Sequence, residues 1–130
     1  MATFKRFEEI EAWQEARELV KQVYSLSNAA GFSRDFGLRD QVRRASVSIM
    51  ANIAEGYERG GRKEFVQFLS IAKGSAAEAR SHLYVALDQG YIEDETFDKL
   101  VVQLETTARK LSKLIDYLRG SEIKGVKYKT

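Results

Sequence analysis

The sequence predicts an all-α fold, a single domain of four helices packed as a bundle, and three observations carry that reading. Proline is absent from all 130 residues, so no ring interrupts a helix from within. The nine glycines gather at a few places and leave four segments of helical length between them. Within those segments apolar residues recur at steps of three and four, and none alternates as a strand would. With 44% hydrophobic and 31% charged residues, the chain suits one core. One domain over residues 1–120 is expected, with helices at about 8–30, 38–58, 63–89 and 95–119.

The first segment places Ala12, Trp13, Ala16, Leu19, Val20, Val23, Tyr24, Ser27 and Ala30 on one helical face, with Glu11, Gln14, Glu18 and Lys21 opposite. A break follows at 31–37 (GFSRDFG). In the second segment Leu38, Val42, Ala45, Ile49, Ile53 and Gly56 form a core stripe, while Val47, Ala51 and Ala54 fall on the other side. The turn GYERGGRK (56–63) comes next, with Gly60 or Gly61 as a left-handed cap. The third segment buries Phe65, Phe68, Leu69, Ala72, Ala76, Ala79, Leu83 and Ala86, and its opposite face carries Ser70, Gly74, Ala77 and Ser81. After a third break at 90–94 (GYIED), Phe97, Val101, Leu104, Ala108, Leu111, Ile115 and Leu118 step by four and three as a heptad seam. The far side of that helix bears Lys99, Thr106, Arg109, Lys110, Lys113 and Asp116, a solvated face. Residues 121–130 lose the periodicity and set Lys124, Lys127 and Lys129 against Glu122 alone, as a flexible basic tail would.

A bundle gives each helix one inward face, so a second face of small or apolar residues on the two middle helices has another purpose. Val47, Ala51, Ala54, Ser70, Gly74, Ala77 and Ser81 are read as the interface of a homo-oligomer. The alternative is a solvated face whose small residues reflect helix propensity.

Chemistry is sparse. Without cysteine there are no disulfides, thiolate metal sites or cysteine nucleophiles, and His82 is the single histidine. Glu78 precedes it by four residues, a spacing for an ion pair or hydrogen bond, and the second Glu-x-x-His pair of a di-iron bundle is missing. GYERGGRK has the glycine spacing of a phosphate loop, but it lacks the preceding strand and the lysine directly after the last glycine. No catalytic residue, metal or cofactor is expected. The charged start of the chain and a longest apolar run of 83–87 predict a soluble, cytoplasmic protein with no membrane partner.

Twenty-one basic against nineteen acidic residues leave a formal charge of +2, so any affinity for polyanions rests on local placement. Arg39, Arg43 and Arg44 cluster with Arg34 near the start of the second helix, partly offset by Asp35 and Asp40. Arg59, Arg62 and Lys63 lie beside the N-terminus of the third. Both groups suit nucleic-acid phosphates, or else Arg34, Arg39, Arg43 and Arg44 pair with Glu55, Glu58 or acids of neighbouring helices and subunits. Few aromatic residues interleave with them in sequence, which argues against base stacking. Asn52, Glu55 and Glu78 are read as a hydrogen-bond network fixing bundle or subunit register.

The stretch QVRRASVSIMANIAEG (41–56), EFVQFL (64–69), Ala72-Lys73-Gly74-Ser75, Glu78, Gly90-Tyr91 and the opening 7–24 with Trp13, Ala16 and Val23-Tyr24 together resemble the 23S rRNA intervening-sequence proteins. These proteins are encoded within insertions in some bacterial ribosomal RNA genes. The resemblance implies an antiparallel, up-and-down four-helix bundle assembling into a ring-like homopentamer. A similar bundle is the accessory protein of diversity-generating retroelements, which engages nucleic acid and a reverse transcriptase through basic surfaces. By that similarity Arg39, Arg43, Arg44, Arg59, Arg62 and Lys63 are the residues to test. The expected function is non-enzymatic: an oligomer that binds structured RNA, or other nucleic acid such as duplex DNA. The alternative is a protein-protein interaction scaffold, for example for a polymerase or reverse transcriptase.

Overall fold

A computed structural model describes residues 4–123, with side chains through residue 120. Four helices account for most of them: α1 (Glu11–Ser27), α2 (Phe36–Glu58), α3 (Arg62–Asp88) and α4 (Asp94–Ile123). Short 3-10 turns at Phe7–Glu9 and Phe32–Arg34 precede α1 and α2, and no strand occurs among the described residues.

The helix boundaries have local causes. Ile10 is extended (φ −76°, ψ 121°) and buries its side chain, so α1 starts three residues later than the apolar periodicity suggests. It stops at Ser27, whose hydroxyl donates back to the Val23 carbonyl at 2.6 Å, and Ala30 is left outside the helix and exposed. Asp35 caps α2 by accepting from the Leu38 N–H at 3.2 Å. Phe36 and Gly37, expected in the break, therefore belong to the first turn of α2. Between α2 and α3 the left-handed residue is Gly60 (φ 83°), while Gly61 is extended at the N-cap of α3. Asp94 and Glu95 open α4 where the helix dipole favours acids. That helix continues through Gly120 to Ile123, three residues into the expected tail. Lys124, Lys127 and Lys129 lie outside the described residues.

Each helix packs on two neighbours, in the cyclic order α1, α2, α3, α4, with the most extensive contact between α2 and α3. Side-chain pairs show three of these contacts to be antiparallel, and the fourth, α1–α2, follows from them. Ser48 meets Ser75 and Tyr57 meets Phe65 across α2–α3, Arg80 meets Glu105 and Tyr84 meets Phe97 across α3–α4, and Glu15 meets Gln103 while Glu11 meets Lys110 across α1–α4. The result is an up-and-down bundle. Leu19, Val42, Ile49, Ile53, Leu69, Leu83, Leu104 and Leu111 fill its core. Leu100, Phe32, Ile10 and Ile92 join them from outside the expected stripes, the last three because the connections fold back over the bundle ends. Lys110, expected on a solvated face, instead bridges to α1, with Nζ 3.2 Å from both Glu11 and Glu15. Burial lowers its affinity for a proton, but the hydrogen bonds to Glu11 and Glu15 outweigh this and raise the ammonium pKa.

The α2–α3 contact depends on Gly56, where an added Cβ would stand 2.5 Å from Phe68 Cβ and 3.2 Å from the Phe65 ring. Helix propensity favours alanine over glycine by about 1 kcal/mol, whereas forced overpacking costs about 1–3 kcal/mol, and a clash with a Cβ has no flexible end to yield. Gly56→Ala is therefore expected to lower the unfolding free energy, by up to about 2 kcal/mol, in a urea titration. Gly37→Ala, with nothing within 4 Å of its added Cβ, is expected to hold or raise it.

Candidate nucleic-acid interface

The antiparallel topology sends the two cation clusters to opposite ends of the bundle. Arg43 on α2 and Arg59 at its C-cap are sixteen residues apart, about 24 Å along the helix axis at 1.5 Å per residue. Arg39, Arg43 and Arg44 share one end with the connection into α2; Arg59, Arg62 and Lys63 share the other with the α2–α3 turn.

At the first end, Arg39 is already engaged. Its Nε lies 3.1 Å from Asp40, and Nη1 donates to the Ser33 carbonyl at 3.1 Å. Arg43 is held differently, by neutral acceptors on α1 and just beyond it. Its Nε donates to Ser27 Oγ at 2.8 Å and Nη2 to Asn28 Oδ1 at 3.0 Å, and the guanidinium lies 4.4 Å from the Tyr24 ring centroid. No carboxylate pairs with it among the described residues, so the full charge stays available in a fixed position. Arg44 is exposed and lines a shallow groove with Tyr24, Asp40, Arg43 and Val47.

At the second end, Arg59 Nη2 is 2.9 Å from Glu55 and its guanidinium 5.1 Å from the Phe68 ring centroid. Arg62 edges a cleft of about 680 Å³ lined by Phe4, Tyr57, Phe65, Leu114 and Leu118. Tyr57 holds one wall of that cleft by donating to the Phe4 carbonyl at 2.6 Å. Lys63 is exposed. Glu55, anticipated as a partner for the first cluster, takes Arg59 instead, whereas Arg43 turns to a hydroxyl and an amide.

All six cations fall within residues 8–113, the span over which the chain matches the family model described as 23S rRNA-intervening sequence protein. The chain belongs to that family. A crystal structure of a protein of unknown function from the S23 ribosomal protein family of Bacteroides thetaiotaomicron has a TM-score of 0.75 and 22% identity to it. The match covers 81% of this chain and 95% of that one, and it shows the shared fold. No curated protein matches the chain significantly.

In this chain the motif residues have mostly structural work. Asn52 donates to the Ser48 carbonyl and hydroxyl at 2.8 and 2.9 Å, and Ser48 meets Ser75 at 2.8 Å across α2–α3. Glu55 and Glu78 stand apart from this chain of hydrogen bonds, Glu55 on Arg59 and Glu78 3.4 Å from His82, so within the subunit Asn52, Glu55 and Glu78 do not form one network. Asn52 spends its amide on Ser48, and each carboxylate meets a partner one turn along its own helix, Glu55 with Arg59 and Glu78 with His82. No cluster of metal-ligating side chains occurs among the described residues, and no described helix is long and apolar enough to cross a membrane.

On the outer face of α2 and α3, Val47, Ala51, Ser70, Gly74, Ala77 and Ser81 are exposed and Ala54 is half-buried. Ile71, absent from the expected interface set, lies in the same stretch and is 52% exposed.

Two aromatic residues at the first end went unassigned by sequence. Tyr24 falls on the apolar face of α1, yet it is 41% exposed under Arg43; Phe36 is 63% exposed, with the Arg39 guanidinium 4.9 Å from its ring centroid. The expectation of little aromatic interleaving therefore fails in three dimensions. The Phe36-x-x-Arg39 spacing would have revealed one pair had Phe36 been placed in the helix, but no sequence signal joins Tyr24 to Arg43.

The start of α2 is fastened to the α3–α4 connection. Tyr91 donates to Asp35 Oδ2 at 3.0 Å and its ring stacks on Phe32 at 5.4 Å. The bond to Asp35, then burial, then the charge of Asp35 all raise the tyrosine pKa above 10.0. A group whose pKa is raised on folding stabilises below its unfolded value and loses that contribution as pH climbs through the folded one. Tyr91→Phe is accordingly expected to lower the melting temperature at pH 7–9, with the gap to wild type closing above about pH 10 in thermal melts followed by circular dichroism.

Proposed function

We propose that this protein is a non-enzymatic homo-oligomer, a pentameric ring, that binds structured RNA or other nucleic acid through arginines repeated around the assembly. The observation that carries the reading is Arg43, fixed by neutral acceptors so that its charge is left for an anion from outside the chain. Arg44, Arg62 and Lys63 add three exposed cations that form no ion pair among the described residues. Each subunit offers few sites for phosphate, and valency multiplies them.

The outer α2–α3 face supports the oligomer. Gly74 sits in mid-helix, where glycine costs about 1 kcal/mol relative to alanine, and nothing in its own chain lies within 4 Å of an added Cβ. A neighbouring backbone approaching that face would account for it. Light scattering is expected to give a mass several times 14.8 kDa, and Gly74→Leu, at an exposed position where an added Cβ meets nothing within 4 Å, to shift it toward the monomer with helicity retained.

Binding is tested by fluorescence anisotropy with a folded RNA and a DNA duplex at two salt concentrations. Submicromolar affinity is expected for the RNA, at least tenfold weaker in the combined Arg43→Ala, Arg44→Ala, Arg62→Ala and Lys63→Ala variant. For every phosphate that the variant no longer neutralises, the salt slope should fall by about 0.7–0.9.

A protein-protein scaffold without direct nucleic-acid contact is the second reading, favoured by Val102, which is 60% exposed on α4. An intact oligomer that binds no nucleic acid, while a protein partner survives nuclease treatment during purification, would establish it instead.

A further inference from the structure

We infer that the α1–α2 end takes unpaired nucleotides, whose bases stack on Tyr24 and Phe36 while Arg43 and Arg44 hold the adjoining phosphates. This rests on the nucleic-acid reading above and narrows it from folded RNA in general to exposed single-stranded segments.

Arg43 spends two of its five guanidinium N–H groups on Ser27 and Asn28, which leaves three for a ligand while its orientation is already set. An arginine so held loses little conformational freedom when a phosphate arrives. Arg44, one residue on, brings an exposed second charge to the same groove. The rings distinguish this end from a plain polyanion surface. Phe36 and Arg43 stand at positions i and i+7 of α2, within about 20° of one another around the helix, so they share one edge of it. Phe36 and Arg43 are about 10 Å apart along it, and Tyr24 lies beside Arg43 from α1.

Cations alone suffice for a duplex, whose bases are already stacked. Exposed rings add free energy only for bases that are free to leave their neighbours. The same physics explains Asp40, which neutralises Arg39 and stands in the groove with Arg43 and Arg44. It limits the affinity for any phosphate, so removing its charge should increase binding.

The test uses the full-length oligomer with a fluorescent single-stranded RNA and a blunt RNA duplex of equal length, read by anisotropy. Stronger binding of the single strand is expected. Tyr24→Leu and Phe36→Leu should each weaken it at least fivefold while leaving the duplex unchanged, since stacking on one ring is worth about 1–3 kcal/mol. Tyr24→Phe should bind as wild type, and Asp40→Asn should tighten both ligands. These positions are largely exposed, and circular dichroism melts verify that each variant folds. Equal or stronger binding of the duplex, or ring variants that bind like wild type while Arg43→Ala and Arg44→Ala weaken both ligands, would overturn the stacking inference and leave the broader function standing. Failure of the wild-type oligomer to bind any nucleic acid would overturn both.

Discussion

The contact on which the rest of the structure depends is the close approach of α2 to α3 at Gly56. With no side chain there, the Phe68 Cβ settles against the α2 backbone, and Tyr57 and Phe65 meet edge-on beside it at 5.9 Å. Because helices are stiff, fixing this crossing near the Gly60 turn also fixes the register further along, where Ser48 and Ser75 meet. The hairpin so formed has its own core stripe and presents the outer stripe of Val47, Ala51, Gly74 and Ala77 to the surroundings. α1 and α4 then close the bundle from the other side, joined to each other through Lys110.

The far end of α2 is governed by polar contacts instead. Asp35 serves two partners at once, the Leu38 N–H as a cap and the Tyr91 hydroxyl as a bridge, so both connections at that end are tied to one carboxylate. This fastening places the first turns of α2 against the end of α1, where Ser27 and Asn28 meet Arg43. The buried hydroxyl of Ser27 thus ends a helix by bonding to Val23 and also orients an arginine. Each end has one cation on a carboxylate, Arg39 on Asp40 and Arg59 on Glu55, so of the six candidate cations the two ends keep equal numbers unpaired. Rigid placement, not the count of cations, separates the two ends.

Much of this was legible in the sequence. The heptad seam of α4 and the core stripes of α2 and α3 follow from a period of 3.6 residues, and Phe97, Leu104, Leu111, Ile49, Leu69 and Leu83 are buried as that period requires. Phe32 and Ile92 were not legible, because a loop side chain is buried by whatever the loop folds across. Gly37 misled in the opposite direction: a glycine near Asp35 reads as a break, yet the aspartate caps the helix and the glycine falls inside it. The pairing of Arg59 with Glu55 is an i, i+4 contact that sequence spacing permits, whereas Lys110 with Glu11 and Glu15 spans nearly the whole chain.

By itself the sequence determined the four helices, their inward faces and the residues that carry charge, since periodicity and capping act over one or two turns. Only the tertiary structure decided which charges remain available and what stands beside them. Arg43 and Tyr24 are nineteen residues apart on different helices, and their contact exists because two helices are held side by side. The local pattern of α1 places Tyr24 on an apolar face; only the position of α2 determines whether that ring is covered by the core or left open beneath an arginine.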